Sequence, residues 1–277
     1  MTAAGSCELI CVKKLSVSRC LFQILKRLCS SGLVSFCVVM PLAFAQIEKD
    51  NTHSDVKEYS VIADVMHDGS IILDSGEAVF LHDICFEWHG KPDVFKEVQY
   101  FEGECVVVLS RTRKNRWGEV SVTLELQNGR SFANVLVEKG LAYVHTGENP
   151  SLRDRSLLQK EEEARRKKVG MWQSSDNLPV PVYQTEKLLE RKGLFTLVEG
   201  KVLSVGKRRT RTYLNFGRNW KQDFTVVIPG SVMQQEVGRD LQISQLQGKK
   251  VRIRGILDEW NGPLITLYSL DMLEILE

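Results

Sequence analysis

The most unusual composition in this 277-residue chain is the stretch Lys207-Arg208-Arg209-Thr210-Arg211-Thr212-Tyr213-Leu214-Asn215-Phe216-Gly217-Arg218-Asn219-Trp220-Lys221, which interleaves cations with aromatic rings. Cations can track a phosphate backbone while rings stack on bases, so the pattern suits a single-stranded nucleic acid or another polyanion. Lys207, Arg208, Arg209, Arg211, Tyr213, Arg218 and Trp220 are therefore candidate binding residues. Trp260, in the later loop Trp260-Asn261-Gly262-Pro263, joins them. Other readings stand beside this one. Tyr213, Phe216, Trp220 and Phe224 alternate well enough to be core with one rim aromatic. Residues 194–277 carry 12 Lys and Arg against 9 Asp and Glu, and Asp258 and Glu259 flank the second loop. A protein or cell-wall partner, or a purely structural role, fits that modest balance equally.

A second set of residues could hold a cation. Asp68, Asp83 and Glu87, with His82 beside them, are close in sequence, and a hard divalent ion such as calcium demands oxygen ligands. Asp68 and Asp83 serve equally well as turn residues. Cys85 and Cys105 could form one disulfide or remain two buried thiols in neighbouring strands. A redox-active pair is disfavoured, because no C-x-x-C spacing exists.

These residues need elements to position them. Hydrophobic residues make up 43% and charged residues 26%, an ordinary globular balance with length for about two domains. Residues 1–45 carry Lys13, Lys14, Arg19, Lys26 and Arg27 against Glu8, whereas the remainder is net acidic. The basic stretch precedes a 14-residue apolar run, Gly32 to Ala45, ending Ala43-Phe44-Ala45. That is the pattern of a signal peptide, which predicts export to the periplasm or beyond and no transmembrane segment after cleavage. A mature chain without a strong basic excess argues against tight, indiscriminate nucleic-acid binding.

Residues 46–56 read as a flexible lead-in. From Lys57, short β-rich runs alternate with Asp/Gly turns: Tyr59 to Ala63, Ile71 to Leu73 and Ala78 to Leu81. A helix is predicted from Pro92 to about Phe101, since proline suits a first turn. Strands follow at Cys105 to Leu109 and Val120 to Leu126, the latter pairing with Ser131-Phe132 across Asn128-Gly129. Gly140 is read as the stop of a helix beginning near Ala133. Ser156 to Lys168 reads as a helix with a narrow apolar stripe, its acids and bases forming a solvated face. Residues 174–193 read as a Ser/Asn/Pro linker. Residues 194–277 give five strands with a helix-like stretch between the third and fourth, the order of an OB barrel.

Three stretches resemble the staphylococcal-nuclease (thermonuclease) family. Asn115-Arg116-Trp117-Gly118-Glu119 is similar to its D-x-Y-G-R turn, and Ala133 to Val144 to its A-N-x-x-L-V-x-x-G-L-A-Y-V helix and strand. Glu161 to Trp172 is similar to its closing A-E-x-x-A-R-x-x-x-x-G-x-W helix. The resemblance covers residues 57–173 and implies an OB-like barrel capped by helices. The whole is expected to be mainly β with α (α+β), with two OB-like β-barrels. Residues 207–224 also resemble the Y-L-N-F-G-x-x-W-x-x-D-F-T strand pair of C-terminal domains attached to some exported thermonuclease-like proteins.

The resemblance implies calcium-assisted phosphodiester hydrolysis, with carboxylates on the metal, a glutamate beside the attacking water and two arginines on the phosphate. This sequence departs from that pattern. Gly69 stands where the second Asp of D-G-D-T belongs. Along Val79 to Trp88, one register puts Phe80 at the first arginine, Cys85 at the metal-binding Asp and Trp88 at the glutamate. Sliding by one puts Glu87 on the glutamate, with Val79 and Ile84 at the other two positions. The second arginine is Glu119, whose carboxylate would repel phosphate. The expectation is an exported pseudoenzyme that needs no cofactor and acts as a binding or scaffold module for nucleic acid or an envelope partner. The alternative is an active calcium-dependent nuclease with a rearranged site of Asp68, Asp83, Glu87 and Arg116. Arg111 and Arg113 are the other cations near the vacant arginine positions.

Overall fold

In a computed structural model the described residues are 58–87, 91–115, 117–145, 156–219, 221–235 and 243–276. The expected signal peptide and lead-in lie outside them, as do Trp88, Arg116 and Trp220. Among the described residues no helix is long and apolar enough to cross a membrane.

The first region begins with β1 (Glu58–Val65), β2 (Ile71–Leu73) and β3 (Ala78–Leu81), a meander turned at Gly69 and Gly76. Both glycines have positive φ, the conformation that tight turns demand and side chains resist. The short β4 (Ile84–Cys85) follows, then α1 (Pro92–Gln99), then β5 (Cys105–Arg111) and β6 (Val120–Leu126). The five long strands close into a barrel in the order β1-β2-β3-β6-β5, with β3 and β6 parallel and α1 inserted before the fourth strand. Alternation decides which side chains fill it. In β6, Val120, Val122, Leu124 and Leu126 are buried while the residues between them are not.

Two helices cap this barrel. In α2 (Phe132–Glu138) Ser131 accepts a hydrogen bond from the Asn134 amide, and the chain leaves through Gly140 at positive φ. After β7 (Tyr143–Val144), which pairs with β4, α3 (Ser156–Lys167) leads into a 3₁₀ turn at Gly170–Gln173. Gly140 and Gly170 meet here. A Cβ on Gly140 would stand 2.3 Å from the Val169 carbonyl, and one on Gly170 2.3 Å from that of Lys139. The approach lets Met171 donate to the Gly140 carbonyl at 2.9 Å and buries Trp172 edge-on against Tyr143.

The segment expected as a linker is built into the second region. Its β8 (Val180–Pro181) runs parallel to β9 (Phe195–Lys201), and Leu188 of α4 (Thr185–Leu189) is fully buried in the second core. The chain continues through β10 (Ser204–Lys207), β11 (Arg211–Asn215), β12 (Thr225–Pro229) and α5 (Gly230–Gln235). Next come β13 (Lys250–Ile256), β14 (Asp258–Glu259), β15 (Pro263–Thr266) and β16 (Leu273–Leu276). The second closed barrel expected from the sequence is not what forms. Two sheets, β10-β11-β12-β15-β14 and β16-β13-β9-β8, pack over one core, and β13 is not hydrogen-bonded to β15. The first expected strand breaks at residues 202–203, so that β9 serves one sheet and β10 the other. Short strands absent from the sequence reading, β14 and β16, then occupy the edges.

The solvated face expected of α3 is also corrected. Glu161 is fully buried and Arg165 nearly so. Residues Glu58–Glu277 cluster as one unit, and α3 faces β13 of the second region within it. The Arg254 guanidinium, 1% exposed, bonds Glu161 at 3.0 Å and the Val144 carbonyl at 2.8 Å; Glu161 also accepts from the Val144 amide at 2.8 Å. Arg252, two residues along the same face of β13, reaches Glu162 and Glu199. Desolvation would lower the Arg254 pKa, but Glu161 and Glu274 outweigh it and raise it, so the guanidinium stays charged in the interior. Beside these ion pairs Tyr143, Ala164, Met171 and Trp172 share a core cluster with Phe195 and Leu197.

Candidate functional site

At the first barrel, the positions that would carry hydrolysis can be taken one by one. Asp68 accepts hydrogen bonds from the Ser70 amide at 2.8 Å and the Ser70 hydroxyl at 2.6 Å, which hold its carboxyl below the usual range. It is occupied as a turn residue. Gly69 cannot simply be exchanged for the missing Asp. Its φ is +89°, and a Cβ there would lie 3.4 Å from the Phe86 ring. In β3 Val79 is fully buried and Phe80 is not, so only Phe80 is placed to stand in for an outward arginine. Phe80 pairs with Ser121, two residues beyond Glu119 on the parallel strand. Glu119 itself accepts from the Asn115 side-chain amide at 2.7 Å, within a turn that Asn115 also holds by accepting from the Trp117 and Glu119 amides.

The remaining candidates are dispersed. Asp83 gives its backbone carbonyl to the His145 amide at 2.9 Å. Glu87 lines a cleft of about 520 Å³ with Lys91, Tyr143, Asp176 and Arg191, where Lys91 donates to its carbonyl at 2.8 Å. Burial lowers the Lys91 pKa. Arg111 is ion-paired with Glu58 and Glu77. Arg116 lies outside the described residues. Among the described residues no group of three or more His, Cys, Asp and Glu is placed to hold a metal ion. Asp68 turned onto Ser70, no side chain at Gly69 and a thiol at position 85 do not fit the oxygen-rich shell calcium requires.

The cysteine pair is corrected as well. Cys85 is a free thiol, so no Cys85–Cys105 bridge forms. Cys85 lies in β4 opposite Tyr143, whereas Cys105 opens β5 opposite Val61 in the barrel. Desolvation, then the carboxylates of Glu161 and Glu87, push the Cys85 thiol well up and keep it protonated.

The second region differs in kind. A groove of about 390 Å³ runs over the β10-β11-β12 face, lined by Arg208, Tyr213, Asn215, Thr225, Trp260 and their neighbours. Register explains the lining. Gly206, Tyr213 and Val227 form one row across the three strands, and Ser204, Asn215 and Thr225 the next. Between Tyr213 and Asn215 the chain turns Leu214 into the core, where it is fully buried. Gly206 contributes no side chain, and the space above it is part of the groove. Trp260 is 63% exposed at the rim. Its loop is held because Gly262 packs on the Gln222 backbone, where a Cβ would stand at 2.9 Å.

Among the described residues no carboxylate lines this groove. Of the two acids expected to weaken anion binding there, Glu259 is paired with Lys192 at 3.0 Å and Asp258 accepts from the Glu259 amide. The structure thus brings Arg208, Tyr213 and Trp260 together. Arg211 shares the face of β11 with Tyr213, and Arg209 is exposed in the adjoining turn. Lys207 pairs with Thr212, the opposite face of the sheet, and Arg218 lies in the β11–β12 connection, so neither lines the groove. Trp220 lies outside the described residues. Phe216 and Phe224 pack on the second core with ring centroids 5.3 Å apart. Sequence reasoning missed Gly206, Asn215 and Thr225. The alternation Tyr213-Leu214-Asn215 was the available signal, but the pairing partners that complete each row are not written in it.

Residues 96–174 match the family model described as Staphylococcal nuclease homologue. The match runs from within α1 to the end of the 3₁₀ turn that carries Trp172 and includes the turn that ends in Glu119. With the closed barrel, it gives the first region a staphylococcal-nuclease-type fold. No curated protein matches the chain.

Proposed function

From that fold we propose that the chain is an exported pseudoenzyme, a nuclease-fold protein that no longer hydrolyses phosphodiesters and binds single-stranded nucleic acid through its second region. The observation that carries this reading is the groove in which Arg208, Tyr213 and Trp260 converge with no carboxylate among its lining residues. A guanidinium offers paired donors to phosphate, and exposed rings offer stacking faces to bases of any sequence. The first barrel supports the loss of hydrolysis. Glu119 places negative charge where a phosphate ligand belongs, and the Asp68 carboxylate is held by Ser70. Phosphoryl-transfer sites depend on such ligands, and losing one typically costs about a hundredfold or more in rate. In this reading the first region is a scaffold for the second.

The test is cleavage and binding measured together on the purified protein. Single-stranded DNA and RNA are offered with calcium and with EDTA, and binding is titrated at two salt concentrations. The expected result is no chelator-sensitive cleavage and salt-dependent binding that is lost in Arg208→Ala/Arg209→Ala. Cleavage that EDTA stops and Asp83→Ala or Glu87→Ala abolishes would show a rebuilt nuclease site instead. Absence of both activities would direct attention to an envelope protein as the partner.

A further inference from the structure

The cleft of about 520 Å³ beside Glu87 holds groups that the binding reading does not use. Two half-buried cations line it, Lys91 just ahead of α1 and Arg191 just after α4. Among the described residues neither forms an ion pair. Lys91 donates to the Glu87 backbone carbonyl at 2.8 Å and Arg191 to that of Asp176, so each rests on a neutral acceptor and keeps further N–H donors. Tyr143 joins them, its ring centroid 5.3 Å from the Lys91 ammonium. It is only 2% exposed yet lines the cleft, and among the described residues its hydroxyl has no hydrogen-bond partner. Burial pushes the phenol pKa up against the opposing charge of Arg191, so the hydroxyl stays an O–H donor. Burial also lowers the Lys91 pKa; Glu87 opposes this and Arg191 adds to it, which puts the two cations within electrostatic reach of each other.

The N-terminus of α1 forms another wall. No side chain caps it, and Pro92, Asp93 and Val94 of its first turn line the cleft, where helical amides lack an intrahelical partner. Such an end favours negative charge. The acids of the cleft are placed differently from its cations. Asp93, Glu97 and Asp176 are exposed, and Asp93 and Asp176 pair with Lys96 and Lys187. Glu87 alone among them is half-buried. We propose that this cleft binds a small phosphate dianion, free or as a monoester, with Lys91, Arg191, the Tyr143 hydroxyl and the α1 amides as donors. Phosphate brings nearly two negative charges and three terminal oxygens, which suit two cations together with neutral donors. A carboxylate brings one charge and two oxygens. Pro92, Leu194 and Phe195 give an organic group an apolar wall, and the volume is that of a small-ligand pocket. None of these residues lines the groove of the second region, so the site stands apart from the nucleic-acid reading.

The experiment titrates the purified protein calorimetrically with phenyl phosphate, inorganic phosphate and benzoate at constant ionic strength. Phenyl phosphate is expected to saturate one site per chain, with benzoate roughly tenfold weaker or more. Inorganic phosphate distinguishes the sources: weaker binding than the ester assigns the site to an organic monoester, equal binding assigns it to the free ion, and both support the site. Arg191→Gln should weaken phenyl phosphate about tenfold, the effect of one charge-assisted bond, and Tyr143→Phe, which keeps the ring, about fivefold. Arg208→Ala should leave it unchanged. Melting curves of the unliganded variants verify folding, and if Arg191→Gln melts early, Lys91→Gln and Tyr143→Phe carry the test. Absence of saturable phosphate binding overturns the site, and benzoate binding as tightly as phenyl phosphate overturns the assignment to phosphate. A loss in Arg208→Ala as large as in Arg191→Gln overturns the placement in this cleft.

Discussion

The two β-rich regions of this chain share a strand logic and differ in what they leave open. The first closes its five strands completely, and its polar side chains at the positions compared with the nuclease motif are taken up locally: Asp68 by Ser70, Glu119 by Asn115, Arg111 by Glu58 and Glu77. The second splits its strands between two sheets, and one sheet face keeps an unfilled groove. Closure satisfies backbone groups and leaves no edge, whereas an open face under a rim tryptophan leaves room for a ligand. Charged side chains that neutralise each other within a turn are no longer available to a substrate. On the proposed reading, binding belongs to the second region, where the groove side chains are not tied up in this way.

The junction between the regions is the strongest place to break the comparison. Arg254→Ala would strip the buried Glu161 carboxylate of its nearest cation, leaving it Arg165 at 3.6 Å and the Val144 amide, a loss of about 3 kcal/mol. Urea unfolding followed by Trp172 fluorescence for the first region and by binding for the second should then show both transitions moving together. Independent transitions would mean that the regions do not support each other.

Binding gives the next largest effect. Trp260→Ala should weaken single-strand binding by about 1–3 kcal/mol, the usual value of one stacked base. Trp117→Ala on the first region, although that ring is 66% exposed, should change it far less. Equal losses would place the ligand on both regions. Arg208→Ala should also flatten the dependence of log affinity on log salt by about 0.7, the slope of one phosphate contact on a single strand.

Acid should loosen the junction. Burial opposes ionisation of Glu162, but hydrogen bonds from Arg165 and Arg252 prevail and hold its pKa below the ordinary 4.5. A depressed carboxylate contributes stability above its unfolded value and loses it as pH falls through the folded one. Stability should therefore decline below about pH 4.5, and Glu162→Gln should make that decline shallower in unfolding titrations. The smallest effect is expected on the first barrel itself. Glu119→Arg should alter stability by less than about 0.5 kcal/mol, as exposed substitutions do, and should not restore calcium-dependent cleavage, because Gly69 and Cys85 still supply no ligands.

Much of the first region was legible because its signals are local. Pro92 opening a helix, Gly140 closing one and Asn128-Gly129 turning the chain each act within a few residues of themselves, although the expected hairpin shrinks to one bridge, Glu125 to Ser131, because Phe132 opens α2. The same holds for the departures from the resembled motif at Gly69, Phe80 and Glu119, which are visible in the residues alone. Ion pairs were a different matter. Arg252 and Arg254 stand about ninety residues from Glu161 and Glu162. Nothing in Glu161-Glu162-Glu163-Ala164-Arg165 distinguishes a buried face from a solvated one. Cys85 and Cys105 could not be assigned from spacing, because whether two sulfurs meet depends on which strands pair.

By itself the sequence determined the strands and turns of the first region, the main strands of the second, and the cation-rich aromatic stretch. Those are properties of residue type and near-neighbour geometry. Only the tertiary structure decided that the second region splits into two sheets and that α3 is clamped to β13. It alone brought Arg208, Tyr213, Asn215 and Trp260 to one groove while Lys207 and Arg218 fell elsewhere. Cross-strand register, set by the packing of two whole sheets, chooses which distant residues become neighbours.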